Sequence, residues 1–180
     1  MKTVLVTGPI GSGKSAACRY LASKGYPVYD CDSRCKALYD SVPGLKSRIE
    51  SALGVPFSEL AVIFDDAARR ETLESIVYPI LLEDLLEWRG SQTSETVFVE
   101  SAVALSKPLF AGLFDEVLLV TAPCSLRFLR HPGAEKRDRL QSFDTIIPTY
   151  TIVNDSSLES LHSQIDSYEN KSCTNSCSVR

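Results

Sequence analysis

Apolar residues recur along this 180-residue chain in two rhythms. Short runs rich in β-branched residues (Thr3 to Thr7, Tyr26 to Tyr29, Thr96 to Val99, Val117 to Thr121, Tyr150 to Val153) are bounded by charged, proline or turn residues and predict five buried strands. Between them the apolar positions take helical spacing. Lys14 to about Ser23 predicts a helix closed by Gly25. Leu158 to Tyr168 predicts a last helix, entered through the turn Asn154-Asp155-Ser156-Ser157. Strands that alternate with helices predict a parallel α/β sheet.

From about Ser33 to Arg89 the strand signal fades and four helical stretches follow: Ser33 to Asp40, Gly44 to Leu53, Asp66 to Val77 and Pro79 to Trp88. Proline at the start of the last one suits a first helical turn. This insertion, about 33–90, falls between the second and third strands, and substrates of open α/β proteins bind at the strand ends. It is expected to hold the substrate within a single domain spanning 1–170. Residues 171–180 carry almost nothing apolar and are expected to form a disordered tail.

One loop gives the sheet its chemistry. Gly8-Pro9-Ile10-Gly11-Ser12-Gly13-Lys14-Ser15 is a full GxxxxGK[ST] match placed between a predicted strand and a predicted helix. Glycines Gly8, Gly11 and Gly13 let backbone N–H groups turn inward around phosphates, and the helix N-terminus adds partial positive charge. Lys14 is expected to bridge the β- and γ-phosphates of ATP, and Ser15 to ligate Mg²⁺. Pro9 removes one backbone donor from the loop. The fold class expected is therefore α/β of the three-layer P-loop kinase type, with a five-stranded, mostly parallel sheet, helices on both faces and a helical substrate-binding insertion.

Phosphoryl transfer to a hydroxyl needs a carboxylate that orients the hydroxyl and accepts its proton. Asp30 and Asp32 end the second strand, and i, i+2 spacing in extended chain puts both on one side. Asp32 is expected to be the base and Asp30 to meet substrate, although either carboxylate also suits a strand end or a helix N-cap. Arg34, on the following helix, is a candidate for anionic substrate groups.

Composition narrows the partners. With 19 basic against 23 acidic residues the net charge is −4, which supplies no general pull toward nucleic acid or an anionic membrane. The N-terminus lacks the apolar region of a signal peptide and no run approaches a membrane span, so a cytoplasmic protein is expected. Six cysteines (Cys18, Cys31, Cys35, Cys124, Cys173, Cys177) form no CxxC pair, His131 and His162 stand apart, and reduced thiols are expected. The sequence does not fix an oligomeric state.

Taken together, GPIGSGKS, then YDCD, then IFDDAARRETLESIVYP and finally TIVNDSS resemble, in order and spacing, the motifs of dephospho-coenzyme A kinases. The similarity covers about Met1 to Tyr168. It implies ATP-dependent phosphorylation of the ribose 3′-hydroxyl of dephospho-CoA, the last step of CoA biosynthesis. By the resemblance Asp32 is the catalytic base, Gly11, Ser12, Gly13, Lys14, Ser15 and Ala16 contact ATP phosphates, and Asn154 lies in the turn that approaches adenine. The insertion holds the pantetheine arm.

Three departures stand out. Tyr78-Pro79 replaces the family's His-Pro beside the acceptor, Ser106 stands where a Leu-Phe-Glu motif carries glutamate, and only Arg127 to Gln141 stands where the family has a longer lid. Tyr78 and Glu100 are expected near substrate, Glu100 close to Mg²⁺. Arg130, Arg137 and Arg139 are the candidates for lid charge, with Arg130 and Arg139 assigned to catalysis. Two alternatives stay open: a P-loop kinase for another small hydroxyl acceptor, and a nucleotide-binding module with impaired catalysis.

Overall fold

The computed structural model describes residues 1–135, 143 and 146–176, and of residues 64, 65 and 172–176 the backbone alone. Two compact units emerge: Met1–Tyr29 with Thr93–Arg180, and Asp30–Gln92.

Five strands, β1 (Lys2–Thr7), β2 (Val28–Asp30), β3 (Thr96–Glu100), β4 (Glu116–Thr121) and β5 (Tyr150–Val153), form one sheet in the order β2-β3-β1-β4-β5. β1 pairs in parallel with β3 (Val4 beside Phe98) and with β4 (Val6 beside Leu118), and β4 pairs in parallel with β5 (Val120 beside Ile152). Alternation along each strand sends Val4, Val6, Phe98, Leu118, Val120 and Ile152 to one face. There they meet Ala17, Cys18 and Leu21 of α1 (Lys14–Ser23) and residues Leu161, Ile165 and Tyr168 of the last helix. Leu5, Val97 and Val99, on the other face, are buried too, which accounts for near-continuous apolar runs where a half-exposed strand would alternate. β1 has β3 on one side and β4 on the other, so the loop that leaves its carboxyl end opens at the switch point of the sheet, where such folds bind ligands.

The helical unit contains α2 (Cys31–Ser41), α3 (Leu45–Leu53), a 3-10 segment Phe57–Asp65 and α4 (Ala67–Gly90). Leu38, Leu45, Ile49, Leu53, Ile63, Leu73 and Val77 are buried, and Tyr39 meets Phe57 edge to face at 4.9 Å between ring centres.

Several boundaries differ from those expected. The stretches on either side of Pro79 form one helix, because Leu73, Val77, Leu81 and Leu85 bury a continuous stripe through the proline. A buried Leu or Val contributes about 1.5–3 kcal/mol, so four outweigh the roughly 3 kcal/mol that an interior proline costs. α2 begins at Cys31, not Ser33, because Asp30 caps it. β2 starts at Val28, since Pro27 has no N–H for the ladder; its carbonyl accepts from Phe98 N at 2.9 Å. The last helix, α6 (Leu158–Ser176), runs past Tyr168 into the segment read as a tail; residues 177–180 lie outside the described residues. A short helix, α5 (Cys124–Arg130), has no counterpart among the expected elements. Among the described residues no helix is long and apolar enough to cross a membrane, and Cys18, Cys31, Cys35 and Cys124 carry free thiols.

Candidate active site

The loop from Gly8 to Gly13 joins β1 to α1, and its glycines are required by what surrounds them. Gly11 has φ 76°, and a Cβ there would lie 2.7 Å from the Arg127 carbonyl oxygen. Gly13 has φ 102°, and a Cβ there would lie 2.1 Å from Asn154 Nδ2. No side chain caps α1 at Gly13, so the first N–H groups of the helix are left for an anion. Ser12 Oγ is fully buried with no hydrogen-bond partner among the described residues. Lys14 folds over the loop, Nζ donating to the Gly8 carbonyl at 2.9 Å and the Pro9 carbonyl at 3.3 Å. A glycine cradle, an orphaned hydroxyl, uncapped helix N–H groups and an ammonium fit a polyphosphate.

Beside the cradle, Ser15 Oγ donates to Glu100 Oε1 at 2.6 Å. Glu100 ends β3, next to β1 in the sheet, so the order of the strands brings together two residues 85 positions apart. A hydroxyl paired with a carboxylate is an oxygen donor set suited to Mg²⁺, which keeps several waters and takes few protein ligands.

Three side chains hold the loop from outside. Arg127, 5% exposed, donates through Nη1 to the Ile10 carbonyl at 3.3 Å and through Nε to the Ala122 carbonyl at 3.2 Å. Arg130 Nη1 donates to the Asn154 carbonyl at 3.1 Å and to the Gly11 carbonyl at 3.4 Å. The Asn154 side chain is buried against the loop, Nδ2 donating to the Ser12 carbonyl at 2.9 Å. Sequence reasoning missed Arg127, and only the proline that opens α5 at Pro123 hinted at the helix carrying it. Arg137 and Arg139 lie outside the described residues.

The helical unit carries the other predicted residues. Asp30 is the N-cap of α2: Oδ1 accepts from Asp32 N at 3.0 Å and Ser33 N at 3.2 Å, and Oδ2 accepts from Ser33 Oγ at 2.6 Å. Asp32 is exposed in the first turn of the helix, so the extended i, i+2 arrangement of the two carboxylates does not occur; the cap turns the chain helical between them. Arg34 forms a forked ion pair with Asp84, Nε to Oδ2 at 2.9 Å with Nη2 on Oδ1. Tyr78 is half-buried in α4, its hydroxyl donating to Glu74 Oε1 at 3.3 Å, and burial, reinforced by the Glu74 carboxylate, pushes its pKa well up. The Cys35 thiol, near the Tyr39 hydroxyl at 3.5 Å, is pushed up by burial.

A parallel sheet in this order, with a glycine cradle between β1 and α1 and a carboxylate at the end of β3, defines a nucleotide-binding protein of the P-loop kinase class. Solved structures share the architecture. TT1252 from Thermus thermophilus superimposes with a TM-score of 0.78 at 28% identity over 94% of this chain and 97% of that one. The dephospho-CoA kinase of Campylobacter jejuni (TM-score 0.58, 17% identity, 94% and 96%) and a shikimate kinase of Acinetobacter baumannii (0.58, 17%, 97% and 94%) share the fold.

No protein-family model matches the chain. Curated relatives do: the dephospho-CoA kinase of Porphyromonas gingivalis is 35% identical over 136 residues, covering 71% of this chain and 67% of the relative, and that of Mesorhizobium japonicum is 31% identical over 141 residues, covering 71% of each. The chain belongs to the dephospho-CoA kinase family. It spans about two thirds of the length of such relatives, 62% for that of Frankia casuarinae.

Proposed function

We propose that this protein transfers the γ-phosphoryl group of ATP to the ribose 3′-hydroxyl of dephospho-CoA, giving CoA and ADP. The observation that carries the proposal is the pairing of Ser15 with Glu100 beside an uncapped glycine cradle, in a chain related to dephospho-CoA kinases. Bound Mg²⁺–ATP supplies the phosphoryl group and neutralises charge on its oxygens.

The residues of the chain do the rest. Gly11 and Gly13 bind the phosphates through backbone N–H groups, Ser12 meets them through its orphaned hydroxyl with Ala16 beside it in the first turn of α1, Lys14 exchanges its loop carbonyls for phosphate oxygens, and Ser15 with Glu100 holds the metal. Asp32 orients the acceptor hydroxyl and takes its proton, so that the hydroxyl oxygen attacks phosphorus as the bond to ADP breaks. Arg130, and Arg139 on the same grounds, supply positive charge to the migrating group. The helical unit takes the acceptor, with Tyr78 in place of the family's histidine, and we place the protein in the cytoplasm.

A second possibility, a kinase for another small hydroxyl acceptor, draws on Tyr78 and on Arg34, which Asp84 already holds. Purified wild type and Asp32→Asn decide between them when given ATP, Mg²⁺ and dephospho-CoA, with the product weighed by mass spectrometry. Turnover that falls about 10²–10⁴-fold in Asp32→Asn while nucleotide binding persists supports the proposal. Nucleotide binding without turnover refutes it and leaves another acceptor or a binding module.

A further inference from the structure

Three consecutive carbonyls of the phosphate loop are each held from outside by a different side chain. Ile10 O accepts from Arg127 of α5, Gly11 O from Arg130 at the end of α5, and Ser12 O from Asn154, the residue after β5. The described residues contain no cis peptide, and across a trans peptide C=O and N–H point in opposite directions. With the three carbonyls turned outward, the N–H groups of Gly11, Ser12 and Gly13 turn to the concave side. Ser12 N is spent on the Pro9 carbonyl at 3.2 Å, which closes the turn and leaves Gly11 and Gly13 to face a phosphate.

We infer that Arg127, Arg130 and Asn154 form an outer clasp that sets the loop in its anion-binding conformation before the nucleotide arrives. It deepens the kinase function proposed above and rests on it. Arg127 is the keystone: its guanidinium is buried, it spans Ile10 and Ala122, and its own backbone packs so close to Gly11 that no Cβ fits between them. Arg130 joins the clasp's two ends, taking the Gly11 and Asn154 carbonyls with one nitrogen. α5 is thereby tied to the loop through backbone contacts, and Arg127 and the Asn154 side chain act as positioning residues. Without the clasp the loop samples conformations in which carbonyls face the phosphates, and nucleotide affinity falls by the fraction of competent loop.

The test is direct nucleotide binding. ADP is titrated calorimetrically into wild type, Arg127→Met, Arg127→Lys and Asn154→Ala, folding of each is checked by thermal melting, and KM for ATP, KM for dephospho-CoA and kcat are measured alongside. The clasp requires ADP affinity to fall on the order of tenfold in Arg127→Met and Asn154→Ala, with KM for ATP rising to match, and less in Arg127→Lys, which keeps one donor. KM for dephospho-CoA stays where it is and kcat changes less than KM for ATP, a split that general loosening of the fold does not produce. If Arg127→Met does not fold, Arg127→Lys and Asn154→Ala decide. Folded variants that bind ADP as wild type does, or that lose kcat with ADP affinity intact, overturn the clasp. Wild type that binds ADP tightly without phosphorylating dephospho-CoA overturns the kinase proposal alone; wild type that binds no ADP overturns both.

Discussion

The Ser15 hydroxyl donates to Glu100 at 2.6 Å, so the first turn of α1 and the carboxyl end of β3 meet at one oxygen pair. A hydrogen bond to an ionised carboxylate is roughly twice as strong as a neutral one, so the pair holds Ser15 in its ligand rotamer. Glu100→Gln keeps the shape and removes the charge. The Mg²⁺ concentration for half-maximal rate should rise about tenfold, the cost of one charge-assisted contact. ADP affinity without Mg²⁺ should not move. Titrating Mg²⁺ in the kinase assay and repeating ADP binding in chelator checks both; an unchanged Mg²⁺ requirement refutes the ligand role.

Gly11→Ala tests the cradle. The alanine must adopt φ near 76°, costing about 1–2 kcal/mol, and its methyl group must displace backbone atoms of Arg127. Backbone cannot swing aside as a side chain end does. Urea unfolding should register a loss above about 2 kcal/mol, since strain and contact add. Gly25→Ala is a control for φ alone, because Gly25 also has positive φ (92°) but open space around it.

How much of this was legible in the sequence depends on the range of the interaction. Gly8 to Ser15 was readable because strand, loop and helix lie consecutively in the chain, and β1, β3 and β4 were readable because their burial on both faces writes unbroken apolar runs. Asp30 and Asp32 were found, but their division of labour was hidden: a strand-end pattern does not show which aspartate caps the helix, and the cap fixes where both point. The loop contacts of Arg127 and Asn154 were opaque for another reason. Their partners Ile10 and Ser12 are 117 and 142 residues away, and their hydrogen bonds go to backbone carbonyls, which every residue type carries. Pro79 misled, because local propensity marks a helix start and only the buried stripe of α4 overrides it.

Asp30 offers a way to separate capping from substrate contact. Asp30→Ala deprives the Asp32 and Ser33 N–H groups of their acceptor and should cost about 1 kcal/mol in urea unfolding. Asp30→Asn restores most of that, since asparagine caps as well as aspartate. If Asp30 also contacts the acceptor through its charge, Asp30→Asn will keep full stability yet raise KM for dephospho-CoA. If it only caps, Asp30→Asn will match wild type in both.

Stability should depend on pH through the contact between α1 and α6. The Asp166 carboxylate accepts from Lys24 Nζ at 2.6 Å and from the Tyr20 hydroxyl at 3.0 Å, and Tyr20 in turn stacks on His162 at 3.8 Å between ring centres. The Lys24 ammonium first, then the Tyr20 hydroxyl, hold the Asp166 pKa below its ordinary 3.8. The unfolded chain then binds more protons than the folded one as pH falls, so the contribution of Asp166 is fully present above that ordinary value and is lost as pH drops through the folded one. Lys24 works in the opposite sense. Burial pulls its pKa down, but hydrogen bonds to Asp166 and Glu169 outweigh this and raise it above 10.5, so its contribution is present below that value and is lost as pH climbs through the higher folded one. Urea midpoints of wild type and Asp166→Asn should therefore differ by a constant amount near neutrality, converge as pH is lowered past 3.8, and converge again at strongly alkaline pH. A gap that stays constant from pH 6 down to the acid transition would show that this carboxylate does not couple α1 to α6.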